Sequence, residues 1–313
     1  MNFPRSVLFV VTLLGMPPIP GFGQDFGSNG NIQSAAPVPD FSGIWGRNFF
    51  FFETPPSGPG PVVSKRRGPD GIMNIFAGVV GDYTNPTLKP QAAEVVKNSG
   101  EMELAGAVHP NVHNQCWPEP TPFNLSVQLG VQIVQKKNEV LLLYLHDQQV
   151  RHVRMNVPHS VPPKSTWQGE SVGHYEGDTL VIDTIGQKVG PFSMFDMYGA
   201  PFSAALRVIE RYRLVDGTQA RDLQRKHERD YFPTGASSPF TNEYGRGDLD
   251  PDLTKQGLQV EITVDDPVMF NMPWRGLVTY RHVLGEWPEA VCVENMREVG
   301  WVRHPPQAEK PDF

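Results

Sequence analysis

Four groups of residues in this 313-residue chain have the types and spacing that chemistry needs. The most distinctive is Gly169-Glu170-Ser171-Val172-Gly173-His174-Tyr175-Glu176-Gly177-Asp178-Thr179-Leu180-Val181-Ile182-Asp183-Thr184. Two alternating runs flank Gly177-Asp178, and a glycine leading a two-residue connection suits a type II′ hairpin turn. In that register His174 faces Val181 and Tyr175 faces Leu180. One face then carries Tyr175, Leu180 and Ile182, and the other carries Glu170, His174, Glu176, Thr179 and Asp183. Glu170 cannot be the partner of His174, because four residues of strand at about 3.3 Å each hold them about 13 Å apart. A base reaches its partner only at about 3 Å. His174 is expected to find its partner on a neighbouring strand, where Asp183 lies diagonally, within range only of a water bridge or a long reach. This polar face is either solvated outer surface or the wall of a lumen site.

Glu210 is the second. On the alternating run Leu206, Val208, Glu210, Tyr212, Leu214 it is the only charge on the apolar face, while Arg207, Arg211 and Arg213 mark the other. An inward carboxylate costs several kcal/mol unless paired. Either a basic residue such as Arg281 or Arg154 holds it, or it is a general acid or base with a raised pKa in a ligand cavity. The third group, His109, His113 and Cys116 with His159 as a fourth ligand, has spacing that can hold zinc. Pro110 and Pro118 break any helix that would align those histidines, and no metal is expected. The fourth is a set of aromatic residues, Trp117, Trp167, Phe192, Phe195, Tyr198, Phe202 and Trp274, suited to lining the mouth of a pocket. No phosphate-binding loop, dinucleotide fingerprint, nucleophile elbow or His-Glu-x-x-His is present, so no cofactor is expected.

The elements that must carry these residues are mostly strands. Apolar positions recur with period two at residues 127–135, 139–146, 150–155, 206–215, 259–265 and 277–283, with turn signals at Lys136-Lys137-Asn138, Asp216-Gly217 and Asp266-Pro267. Helices are expected only around residues 91–99 and 218–225. Many short consecutive strands describe an antiparallel barrel or sandwich. The opening Asp40-Phe41-Ser42-Gly43-Ile44-Trp45 resembles the Gly-x-Trp start of lipocalin-like barrels, where the tryptophan plugs the closed end. In such barrels a basic residue on a late strand often caps that tryptophan, and Arg281 is the natural candidate. The expected fold is an all-β, lipocalin-like antiparallel barrel with one or two short helices.

The hairpin block is similar to the Gly-Glu-Ser-Val-Gly-His-Trp-Glu-Gly-Asp-Thr-Leu-Val-Val-Asp-Thr block of a large, mostly uncharacterised family of exported bacterial proteins. The likeness continues through residues 209–216, then Asp266-Pro267 with Pro273-Trp274, and residues 289–295 around Cys292. It implies membership and no settled activity. Tyr175 stands where members have tryptophan. Phe202 stands where they often have histidine, which leaves any chemistry resting on that histidine without its residue.

Residues 1–5 form a short basic start, residues 6–16 a nearly unbroken apolar run, and Pro17, Pro18 and Pro20 precede the small residues Gly21 and Gly23. This is the order of a cleavable signal peptide, and the apolar run falls short of the roughly 20 residues that cross a bilayer. The expected organisation is signal peptide 1–23, flexible leader 24–39, a single barrel domain 40–303 and a tail 304–313, with the mature protein secreted or periplasmic. Thiols oxidise outside the cytoplasm, so Cys116 and Cys292 are expected to form a disulfide, the alternative being two separate buried thiols. A formal net charge of −7 without a basic stripe argues against nucleic acid.

The first functional expectation is a cofactor-independent acid/base enzyme, a lyase, isomerase or hydrolase, acting on a small apolar or aromatic substrate. His174 and Glu210 would be its acid/base groups, with Arg281 stabilising developing negative charge. Trp167, Glu170, Asp183, Arg154, Phe202 and Trp274 would hold the substrate. The alternatives are a non-catalytic periplasmic small-molecule binding or carrier barrel and a structural or surface-interaction protein, the last expected to have a filled lumen and no pocket.

Overall fold

The computed structural model of the chain describes residues 38–65, 79–107, 109–231 and 248–285. The signal segment, most of the leader, Cys292, the 289–295 stretch and the tail lie outside the described residues. Ten strands are present among them: β1 Gly43–Gly46, β2 Gly130–Gln135, β3 Glu139–Tyr144, β4 Val150–Met155, β5 Glu170–Glu176, β6 Thr179–Ile185, β7 Arg207–Val215, β8 Asp248–Leu249, β9 Gly257–Asp265 and β10 Trp274–Leu284. Nine of them follow one another around a closed barrel in the order β1 to β7, β9, β10, and β10 returns to pair with β1. The short β8 pairs with the end of β10. The expected β-barrel is therefore present.

Alternation decides what faces the lumen. On β9, Leu258, Val260, Ile262 and Val264 are fully buried, while Gln259, Glu261 and Thr263 point outward. The β5–β6 hairpin has the register read from the sequence, His174 opposite Val181 and Tyr175 opposite Leu180. Gly177 takes the positive φ of 61° that its turn requires.

One pairing departs from the antiparallel expectation. β4 and β5 run parallel, because residues 156–169 carry the chain back along the barrel before β5 begins, and a parallel pair needs a crossover of about a dozen residues. Glu170, at the start of β5, latches that crossover. Its carboxylate accepts from the Ser160 hydroxyl at 2.7 Å and the Lys164 amide at 3.0 Å, and from Arg154. Burial works against the Glu170 charge, yet these donors outweigh it and hold the carboxyl below its usual range.

Three helices occur among the described residues: α1 Pro90–Leu104, α2 Phe123–Val127 and α3 Gly217–Tyr231. Residue 127, expected in a strand, ends α2. All five α2 residues are buried, so the period-two spacing of Phe123, Leu125 and Val127 is no evidence for one wet and one dry face. α3 is nearly twice the expected length. Asp216 caps it through the Thr218 and Gln219 amides at 2.9 and 3.1 Å. The helix buries Ala220, Gln224, His227 and Tyr231, a helical spacing hidden from an apolar count because two of the four are polar. A Cβ on Gly257 would come within 2.3 Å of the Ala220 Cβ, so glycine lets α3 approach β9.

Glu210 does point into the lumen, but its partner is Arg151 on β4, and neither Arg154 nor Arg281. The Arg151 guanidinium forks onto the Glu210 carboxylate at 3.0 and 2.6 Å. It also donates to Ser171 at 2.9 Å and Thr184 at 2.6 Å, and lies 3.4 Å from the Tyr144 hydroxyl. Burial opposes the Arg151 charge, and Glu210 overrides it, so the guanidinium stays charged. Arg154, on the outer face of the same strand, belongs to the Glu170 latch. Arg281 also points outward and donates to the Asp250 carbonyl. The ring against Trp45 is that of His282, stacked with centroids 4.0 Å apart, because Trp45 lies opposite His282 and Arg281 lies opposite Gly46. The Trp45 indole donates to the Phe41 carbonyl at 2.8 Å.

Removing one partner of a buried ion pair leaves an uncompensated charge and costs about 3–5 kcal/mol, whereas replacing both by apolar groups is often neutral. Arg151→Met is expected to lose stability in that range in urea unfolding, and Arg151→Met combined with Glu210→Leu to recover most of it. Equal losses in the single and double variants would contradict the pairing as the source of the cost.

Candidate functional site

Inward residues of the strands form a buried apolar cluster around the Arg151–Glu210 pair, and a cleft lies outside the barrel wall. This narrow cleft, partly open to solvent and with about 10 Å³ of room for water, is formed by three loops at the barrel end where β5 begins and β6 finishes. The loop before α2 supplies Val112, Trp117 and Pro120, the crossover supplies Trp167, and the β6–β7 connection supplies Lys188, Phe192, Ser193 and Phe202. The Trp117 ring meets Trp167 edge-on at 5.0 Å and Phe192 at 5.4 Å.

Each wall is held by its own hydrogen bonds. In the first, Asn111 and Asn114 exchange side chain to backbone bonds at 2.9 Å, and the Trp117 amide donates to the Val112 carbonyl at 2.9 Å. Glu119, buried at its end, takes His113 Nδ1 at 2.7 Å and Gln128 Nε2 at 2.7 Å. Gln128 in turn accepts the His146 amide at 2.8 Å, which ties this loop to the end of β3. Burial disfavours protonated His113, but the hydrogen-bonded Glu119 outweighs it and raises its pKa. Burial, reinforced by the neighbouring His113, pushes His146 down to about 4.

The crossover wall and the β6–β7 wall are joined where the Lys188 amide donates to the Thr166 carbonyl at 2.8 Å. Within the β6–β7 connection, Ser193 Oγ accepts the Gly190 amide at 2.6 Å and the Phe202 amide donates to the Ser193 carbonyl at 3.0 Å. Asp196 closes its tip, accepting the Tyr198 and Ala200 amides at 2.9 and 3.0 Å on one oxygen. Burial raises the Asp196 carboxyl to about 7 despite these amides.

The expected site residues scatter. Trp167 and Phe202 line the cleft, with Trp117 and Phe192 from the aromatic set. Phe195, Tyr198 and Trp274 are core residues; Trp274 packs against Phe195 and Phe52. His174 is half exposed on the outer wall and binds Glu176 of its own strand at 3.0 Å, and Glu176 also takes Arg211 at 2.7 Å. Its partner is thus not on a neighbouring strand, and Asp183 is engaged elsewhere, by Arg207 at 2.8 Å and His159 at 3.4 Å. His174 and Glu210 lie on opposite faces of the sheet, so the structure brings no His174–Glu210–Arg281 centre together. Glu170, Asp183 and Arg154 belong to the ion pairs of the outer wall. The histidines weighed for zinc are also apart: His109 meets Ser99 at 3.0 Å, His113 meets Glu119, and His159 lies between Glu170 and Asp183. Among the described residues no group of three or more His, Cys, Asp or Glu side chains could hold a metal ion.

Sequence reasoning missed Lys188, Ser193, Val112 and Pro120, which carry no motif. It also missed Arg151, for which a signal existed. Arg151 alternates with Val153 and Met155 on the buried face of β4, whereas Arg154 falls on the exposed one.

Folded, Asp196 titrates at about 7; its ordinary value is 3.8. Between those values the folded state keeps a proton that the unfolded chain has released, so this contribution to stability is complete below about pH 4 and lost as pH rises through 7. Asp196→Asn keeps an oxygen for the two amides. It is expected to match the parent near pH 4 and to exceed it at pH 8 by on the order of 3 kcal/mol in urea unfolding. Parallel pH profiles would refute the assignment. Comparison of the chain with protein-family models, curated proteins and solved structures returns no match.

Proposed function

We propose that this protein is an exported small-molecule binding barrel whose site is the aromatic cleft on its outer end. The observation that carries this reading is the convergence of Trp117, Trp167, Phe192 and Phe202 from three loops on a partly open cleft, on a barrel whose inward residues form one buried apolar cluster. The room for solvent inside the cleft is about 10 Å³, about one water molecule, so a ring would lie against the open mouth of the cleft and not within it. The acid/base reading on His174 and Glu210 loses its support, since a sheet separates the two groups.

Export is supported by the basic, apolar and small-residue order of the first 23 residues. Pairing of Cys116 with Cys292 is supported by the absence of a free thiol among the described residues and by a total of two cysteines in the chain. The hairpin block supports placing the chain with the exported family it resembles. No helix of the described residues is long and apolar enough to cross a membrane.

Binding is testable with p-cresol, a neutral single-ring probe, by isothermal titration calorimetry. Saturable binding is expected, weakened about tenfold or more by Trp167→Ala, since an aromatic contact contributes about 0.5–1.5 kcal/mol beyond its buried area. Absence of binding at millimolar probe, or binding indifferent to both Trp167→Ala and Phe192→Ala, would sink the proposal.

A further inference from the structure

The cleft has one charged residue in its lining, and it is a cation. Lys188 stands at the rim with its Nζ 5.3 Å from the centroid of the Trp167 ring. The two residues are brought together by the backbone, because the Lys188 amide donates to the Thr166 carbonyl, one residue before Trp167. The neighbouring polar group, Ser193 Oγ, is occupied on both sides by Gly190, accepting its amide and donating to its carbonyl. Among the described residues, no carboxylate lies within ion-pair distance of Lys188, although carboxylates neutralise Lys65, Lys97, Lys136, Lys226 and Lys255. The buried carboxylate nearest in sequence to the cleft wall, Glu119, is turned to His113 and Gln128. On a chain of net charge −7, an apolar cleft bounded by an uncompensated ammonium is a local inversion of the charge balance.

We infer that the ligand of this cleft is a small aromatic acid, its ring against Trp117, Trp167 and Phe192 and its carboxylate paired with Lys188. The inference rests on the cleft being the binding site and adds the charge and geometry of what fills it. A cation near an indole ring keeps N–H donors to offer. A carboxylate arriving at the rim meets those donors while its ring displaces water from the aromatic walls. The pair is solvent-facing, so its contribution is modest and screened by salt.

The test compares benzoate with its neutral isostere benzamide by calorimetry at pH 7.5, in low salt and in 0.5 M sodium chloride. Benzoate is expected to bind about three- to tenfold more tightly in low salt. That advantage should shrink in high salt, vanish in Lys188→Gln and persist in Lys188→Arg. Lys188 is exposed, so both variants are expected to fold. Equal affinity for the two probes overturns the inference, as does an advantage that survives Lys188→Gln. If p-cresol binds and benzoate does not, the cleft remains the site and the acid is wrong. If none of the three binds, the cleft reading falls and this inference falls with it.

Discussion

Closing a sheet of nine strands around a polar pair obliges every atom of that pair to be satisfied inside the barrel. Arg151 reaches from β4 to Glu210 on β7, and on the way it meets hydroxyls from β3, β5 and β6. Five consecutive strands, including the parallel β4–β5 junction, thus converge on one guanidinium. Moving any of these strands by one residue would turn its member of the network to the outer face and strand the others. The pair therefore selects a register, which is the best attested use of buried ionic groups. It also occupies space inside the barrel.

The loops at one end carry the cleft. The parallel step at β4–β5 requires a long crossover, and Glu170 gathers Ser160, Lys164 and Arg154 to hold it down. That crossover carries Trp167 to the barrel end, beside Trp117 and Phe192. The carboxylates that looked most chemical in the sequence, Glu170 and Asp183, thus act on the fold. The residues forming the cleft are plain aromatic and aliphatic ones placed by backbone hydrogen bonds. Both long loops are braced internally, by the Asn111–Asn114 exchange and by Asp196.

The same distinction explains how much was legible. The β5–β6 register was readable because alternation and a glycine turn are local properties, and the inward direction of Glu210 followed from the same alternation. Its partner was not read, though Arg151 shares the buried parity of Val153 and Met155 while Arg154 does not. The cap on Trp45 missed by one position, since the register of β1 against β10 is set across the barrel closure, where no turn links the two strands. α3 was underestimated because its buried face includes Gln224 and His227, whose hydrogen bonds to Gly46, Thr279 and Phe50 carbonyls are made far away in sequence.

By itself the sequence determined most of the strand content, the hairpin at Gly177, which residues of that hairpin share a face and the expectation of a barrel, because these follow from period, turn chemistry and composition over a few residues. Only the tertiary structure decided that Glu210 pairs with Arg151, that His174 stands outside with Glu176, and that Trp117, Trp167, Lys188 and Phe192 meet. Those outcomes depend on which strands become neighbours around a closed sheet and on where long loops come to rest. Such relations join residues tens of positions apart and leave no local period or motif behind.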